Sequence, residues 1–185
     1  MKTSWVLADS VIIDPTQDLS ELKNIGSFWG GWCTWRACQT DNVICYDMKH
    51  AQNLIKRQFQ KQCNFFIPNS IYSMLDRPEN VKLFEGAFVH DVDHQDELVA
   101  MHLAASTSDI VLLLGFDWQE KDPIADKLIV HRQHHYNNLV KQVITDNPGI
   151  QWVLVDHPGE VRKGLDGLEN LTQDSMSNVI DLLTS

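Results

Sequence analysis

The sequence predicts one α/β domain over residues 1–185, with a mostly parallel sheet covered by helices on both faces. Three observations predict it. Strand-like apolar runs alternate with amphipathic stretches of about ten to fifteen residues, the signature of βαβ units. The runs are continuous rather than alternating, as in DIVLLLGFDW (residues 109–118), which marks strands buried on both faces. Several of them also end on a polar residue, where a parallel strand delivers its chain to a ligand-binding edge.

In chain order, SWVLADSVIID reads as a first strand stopped at Asp14-Pro15, because proline removes a donor and forces a turn. DLSELKNI supplies a short helical turn. SFWGGWCTWRACQT holds three of the six tryptophans around a Gly pair and fits either a Gly-hinged loop or a strand and short helix packed by Trp. NVICYD is a second strand ending on Asp47. MKHAQNLIKRQFQKQ, with Ala51, Leu54, Ile55 and Phe59 at helical spacing, is an amphipathic helix. CNFFIPNS is a third strand, stopped by Pro68 and followed by Asn69-Ser70, and VKLFEGAF is a further strand. DELVAMHLAAS begins with acids and carries Leu98, Met101 and Ala105 on one stripe, a helix with favourable dipole placement. The strand DIVLLLGFD follows, then the helix HRQHHYNNLVKQVITDN, ended by Pro148-Gly149. The strand IQWVLVDHPG and the closing helix DSMSNVIDLLTS complete the chain.

Composition narrows the function classes. With 25 acids against 15 bases, a net charge of -10, the surface is unsuited to nucleic-acid phosphates or anionic lipid. No segment reaches the roughly 20 apolar residues a membrane span needs, and Lys2, Asp9 and Asp14 interrupt any signal-peptide pattern. The four cysteines, Cys33, Cys38, Cys45 and Cys63, form no CxxC pair, and Cys45 and Cys63 fall in apolar runs as buried thiols do. These features predict a soluble protein of a reducing compartment, the cytoplasm.

Candidate site residues come from the strand ends: Asp47, Asn69 with Ser70, Gly115 with Asp117, and Asp156 with His157. In a parallel sheet these emerge along one edge; loops at a surface being polar anyway, part of the pattern has a purely structural origin. HRQHHY adds His131, His134 and His135, whose imidazoles exchange protons near neutral pH. No HExxH or comparable ligand pattern accompanies them, so proton transfer is read ahead of metal binding, with a solvated helix face as the plain alternative. HDVDHQDE, with Asp91, Asp93 and His94, reads as a polar loop whose Asp96 caps the next helix rather than as a cation site. FWGGWCTW lacks the Lys-Ser/Thr of a P-loop and the GxGxxG spacing of a dinucleotide site, so no cofactor is expected.

Through ELVAMHLAASTSDIVLLLGFDW, followed by HRQHHYNNLVKQ and by ENLTQDSMSNVIDLL, the second half of the chain resembles the Rossmann-like sialyltransferase group of bacterial surface-glycan synthesis, together with the related motility-accessory and pterin-pyrophosphokinase-like proteins. The resemblance covers residues 95–185. It implies a nucleotide-sugar lying across the strand ends and a metal-independent transfer in which His134 or His135 deprotonates the acceptor hydroxyl. It further implies that Asp47 and Asn69 face the nucleotide and that Asn170 and Ser175 lie near its phosphates. In place of the Gly-x-Gly-Pro-Ser loop of that group, this chain has ADSVIIDP. The second function class is therefore a non-catalytic binding or assembly module on the same scaffold, engaging a protein partner or a second copy, with the tryptophans as interface anchors.

Overall fold

The computed structural model describes residues 1–8, 20–85, 95–116, 127–155, 165 and 167–185, and of residues 20, 21, 33, 37, 95 and 127–135 the backbone only. The elements run β1 (Thr3–Leu7), α1 (Ser20–Lys23), β2 (Ser27–Gly31), α2 (Trp32–Cys38), β3 (Asn42–Ile44), α3 (Met48–Lys56), a 3-10 turn (Phe59–Lys61), β4 (Asn64–Pro68), α4 (Asn69–Met74) and β5 (Lys82–Phe84). They continue with α5 (Gln95–Ala105), β6 (Ile110–Leu114), α6 (Lys127–Asp146), β7 (Gln151–Val155), β8 (Leu171–Asp174) and α7 (Met176–Thr184). The strands form one eight-stranded sheet in the order β5-β4-β3-β2-β1-β6-β7-β8. Every neighbouring pair is parallel. The Rossmann-like α/β architecture expected from the alternation of runs is thus observed.

The period of two along each strand sorts the core onto two faces. Val6, Trp29, Ile44, Val111, Leu113 and Leu154 face one layer, built by α5 and α6 through Val99, Met101, Ala104, Val140 and Ile144. Trp5, Leu7, Phe28 and Leu112 face the other layer, where Leu22 of α1 and Met176 and Val179 of α7 cover them. On that same face Val43, Cys45, Phe65 and Ile67 meet Ala51 and Leu54 of α3, Ile71 of α4 and Phe59. Strands covered on both sides have no solvent face to mark with polar residues, which is why their sequences are continuous apolar runs.

SFWGGWCTWRACQT resolves into β2 and α2 with no intervening loop. Gly30 makes this possible: a Cβ there would come within 3.0 Å of the Thr34 side chain and 3.3 Å of the Leu7 carbonyl, so the helix lies directly on the strand. Trp32 and Trp35 stack at 5.5 Å, and Phe59 meets both edge-on at 5.2 and 4.5 Å. That cluster also explains why α3 stops at Lys56, short of the expected stretch. Gln58 turns left-handed at φ 57 and swings Phe59 under the tryptophans instead of continuing the helix.

Other departures have similarly local causes. Pro68 ends β4 as expected, but its φ of -69 and ψ of 150 also make it an N-cap, and α4 starts at once on Asn69. β8 escaped the sequence reading because an edge strand of composition LTQD has no apolar run to show. α6 begins at Lys127, before the His-rich stretch rather than with it. The proposed continuation of the first strand to Asp14 lies outside the described residues, as do His90, Asp91, Asp93 and His94.

Candidate functional site

The strand order reverses between β1 and β6. From β1 the chain passes to α1 on one face, and from β6 it passes to α6 on the opposite face. The reversal makes the carboxyl ends of these two neighbours a topological switch point, the position at which open α/β sheets bind ligands. Its described rim consists of Ala8, whose N–H donates to the Leu114 carbonyl at 3.0 Å, and Gly115 and Phe116. Gly115 has φ 75, a left-handed conformation that a side chain disfavours, so the turn out of β6 is built on glycine. Phe116 then folds into the core at 2% exposure. Asp117, which follows it, lies outside the described residues, as do Asp156 and His157.

Asp47 stands at the carboxyl edge beyond β3. Its Oδ1 accepts the His50 N–H at 2.6 Å, capping α3, and lies 3.6 Å from the His50 ring. Asn69 and Ser70 are exposed on the first turn of α4, at the same edge beyond β4. Ser175 is beyond β8 and caps α7 by accepting the Asn178 N–H at 3.3 Å. These residues share an edge but not one spot. Asp47 is three strand spacings from Gly115, about 14 Å, and Asn69 is six from Ser175, about 29 Å, at the usual interval between neighbouring strands.

Asn170 is placed differently from what the resemblance implies. Because β8 runs from Leu171 to Asp174 parallel to β7, Asn170 lies at the amino edge and Ser175 at the carboxyl edge, a strand length of about 15 Å apart. The Asn170 side-chain amide instead donates toward the carbonyls of Ile144, Asn147 and Ile150 at 3.4, 3.2 and 3.1 Å, where α6 ends and the chain turns into β7. One phosphate cannot be held by Asn170 and Ser175 together.

Two polar contacts near the carboxyl edge were not visible as such in the sequence. Asp96, expected as a cap, lies within the first turn of α5, and its Oδ1 accepts the Tyr46 N–H at 2.9 Å, tying the start of that helix to the end of β3. The neighbouring Glu97 is 2% exposed and accepts the hydroxyl of Tyr136 from α6, itself 5% exposed. An acid directly ahead of the apolar LVAMHLAA run was the available signal, although beside Asp96 it reads equally well as a dipole partner at the surface. His134 and His135 fall within α6 in the residues just before Tyr136.

Cys38 and Cys63 are not arranged for nucleophilic chemistry. Burial pushes Cys38 up to about 11, against a smaller opposing pull from Lys23, and pushes Cys63 up to about 12. Both are protonated at neutral pH, whereas a nucleophilic cysteine needs its thiolate. Among the described residues no group of three or more His, Cys, Asp or Glu side chains could hold a metal ion. No described helix is long and apolar enough to cross a membrane. Comparison with known protein families, with curated proteins and with solved structures finds nothing that matches this chain.

Proposed function

We propose that the chain is a small glycosyltransferase-like protein that binds a nucleotide-sugar at the carboxyl ends of its strands, in the crevice between β1 and β6. The observation that carries the reading is the strand-order reversal at β1 and β6, with Gly115 left-handed at its rim. A left-handed glycine lets a ligand approach the backbone closely, and a parallel sheet supplies a rigid base beneath it. Gly115 and Asp117 contact the ligand in this reading, with Asp47 on its flank, and His134 or His135 takes the proton of the acceptor hydroxyl. Calorimetry against cytidine and uridine nucleotides tests it: saturable heat at or below about millimolar nucleotide is expected, and none at that concentration refutes it.

The second reading is a non-catalytic binding module. It is favoured by the local employment of Asp47 and Ser175 as helix caps and by the distance of Asn170 from the crevice. A monomer by sedimentation that binds nucleotide would exclude it; a self-associating chain without nucleotide affinity would establish it over the first.

A further inference from the structure

The opposite edge of the sheet carries a cleft of about 630 Å³, of the size that small ligands occupy. It opens where α1 ends, where α2 leads into β3 and where the chain enters β4, so its walls come from three separate segments held by the sheet. Among the described residues, Lys23 and Lys61 line it against a single acid, Asp41. In a chain of net charge -10, this is a locally cationic spot.

Both ammonium groups are exposed and only partly engaged. Lys23 Nζ donates to the Gln39 carbonyl at 3.1 Å and lies 5.8 Å from the Phe28 ring, while Lys61 Nζ donates to Gln58 Oε1 at 3.0 Å. An ammonium has three N–H donors, so each keeps donors for a ligand. Asp41 is directed elsewhere, with Oδ2 accepting the Phe28 N–H at 2.9 Å. Gln62 and Asn64 contribute side-chain amides, groups that both donate to and accept from hydroxyls, and the half-buried Trp35 adds an aromatic surface. The wall also contains Thr40, 2% exposed, whose hydroxyl has no hydrogen-bond partner among the described residues. Native structures seldom leave such a group unsatisfied unless a ligand or water completes it.

We propose that this amino-edge cleft is a second binding site, for a small phosphate ester with a hydroxylated body, such as a sugar phosphate. Two lysines act as point charges suited to a phosphate. The amides of Gln62 and Asn64 meet the hydroxyls, and Trp35 meets the C–H face of the sugar. The site lies across the sheet from the β1 and β6 crevice and does not depend on the reading given for it.

The test is a ¹H–¹⁵N titration of the full chain with glucose 6-phosphate, inorganic phosphate and glucose as separate probes. Glucose 6-phosphate is expected to move the Trp35 indole and the Asn64 side-chain amide saturably at about millimolar concentration. K23Q/K61Q should weaken it at least about tenfold, and K23R/K61R, which keeps the charges, should retain most of the affinity. Spectra of both variants away from the cleft report that the fold is intact. Absence of saturable shifts, or equal affinity in K23Q/K61Q, overturns the site. Inorganic phosphate binding as tightly as glucose 6-phosphate overturns the hydroxylated body, and glucose binding as tightly overturns the role of the phosphate.

Discussion

Replacing Asn170 by alanine removes both N–H donors of an amide that faces three backbone carbonyls at the end of α6 and the turn into β7. Each hydrogen bond of this kind contributes about 0.5–1.5 kcal/mol net, so the loss is about 1–3 kcal/mol. For a chain of 185 residues, at about 2–4 °C per kcal/mol, that lowers Tm by about 2–12 °C. Asn170→Asp is the sharper variant: it keeps the size of the side chain but points acceptor oxygens at three carbonyl oxygens, so it should be less stable than Asn170→Ala. Thermal melts by circular dichroism, with urea titration beside them, read both. Any nucleotide affinity should survive, because the amino edge is a strand length from the crevice. A Tm unchanged in Asn170→Ala, or an Asn170→Asp as stable as the parent, would refute the structural role.

Gly115→Ala should cost about 1–2 kcal/mol in urea denaturation, because it forces a Cβ into a left-handed turn. Ser175→Ala removes a cap and should cost about 0.5–2 kcal/mol, with Ser175→Asp largely restoring it. Glu97 and Tyr136 should show a coupling of about 1–3 kcal/mol in a double-mutant cycle of Glu97→Gln and Tyr136→Phe, and an additive cycle would mean the buried contact contributes nothing. Cys38 and Cys63 hold their protons more tightly when folded than at the ordinary value of 9.0, so the stability they contribute is complete below that pH. It is lost as pH rises through about 11 and about 12, and the urea midpoint should fall above pH 9, less steeply when both are replaced by alanine.

The sheet was legible because burial on both faces writes itself as unbroken apolar runs, as in VLLL of β6 and WVLV of β7. β8 was not, because LTQD sits at an edge where one side of the ladder is open and no hydrophobic run is required. The spread of the strand-end residues follows the same division. That Asp47, Asn69 and Gly115 share an edge follows from parallel strands, and the structure agrees. How far apart they stand depends on strand order, which a one-dimensional pattern does not contain. Asn170 shows the consequence most plainly: Asn-x-x-x-x-Ser spacing looks like one loop until a strand is found inside it. The amino-edge cleft was invisible for a related reason, since Lys23, Asp41 and Lys61 come from segments that only the folded sheet brings together.

The central claim, a nucleotide-sugar at the carboxyl edge, is tested most directly by mapping backbone amide shifts while cytidine and uridine nucleotides are added to the ¹⁵N-labelled chain. The account predicts saturable changes concentrated at Ala8, Gly115 and Phe116, weakening toward Asp47, with Asp41 and Asn64 at the amino edge unmoved; Asp117→Ala should abolish them without changing Tm. Shifts confined to the amino edge, or none at about millimolar nucleotide, would contradict it.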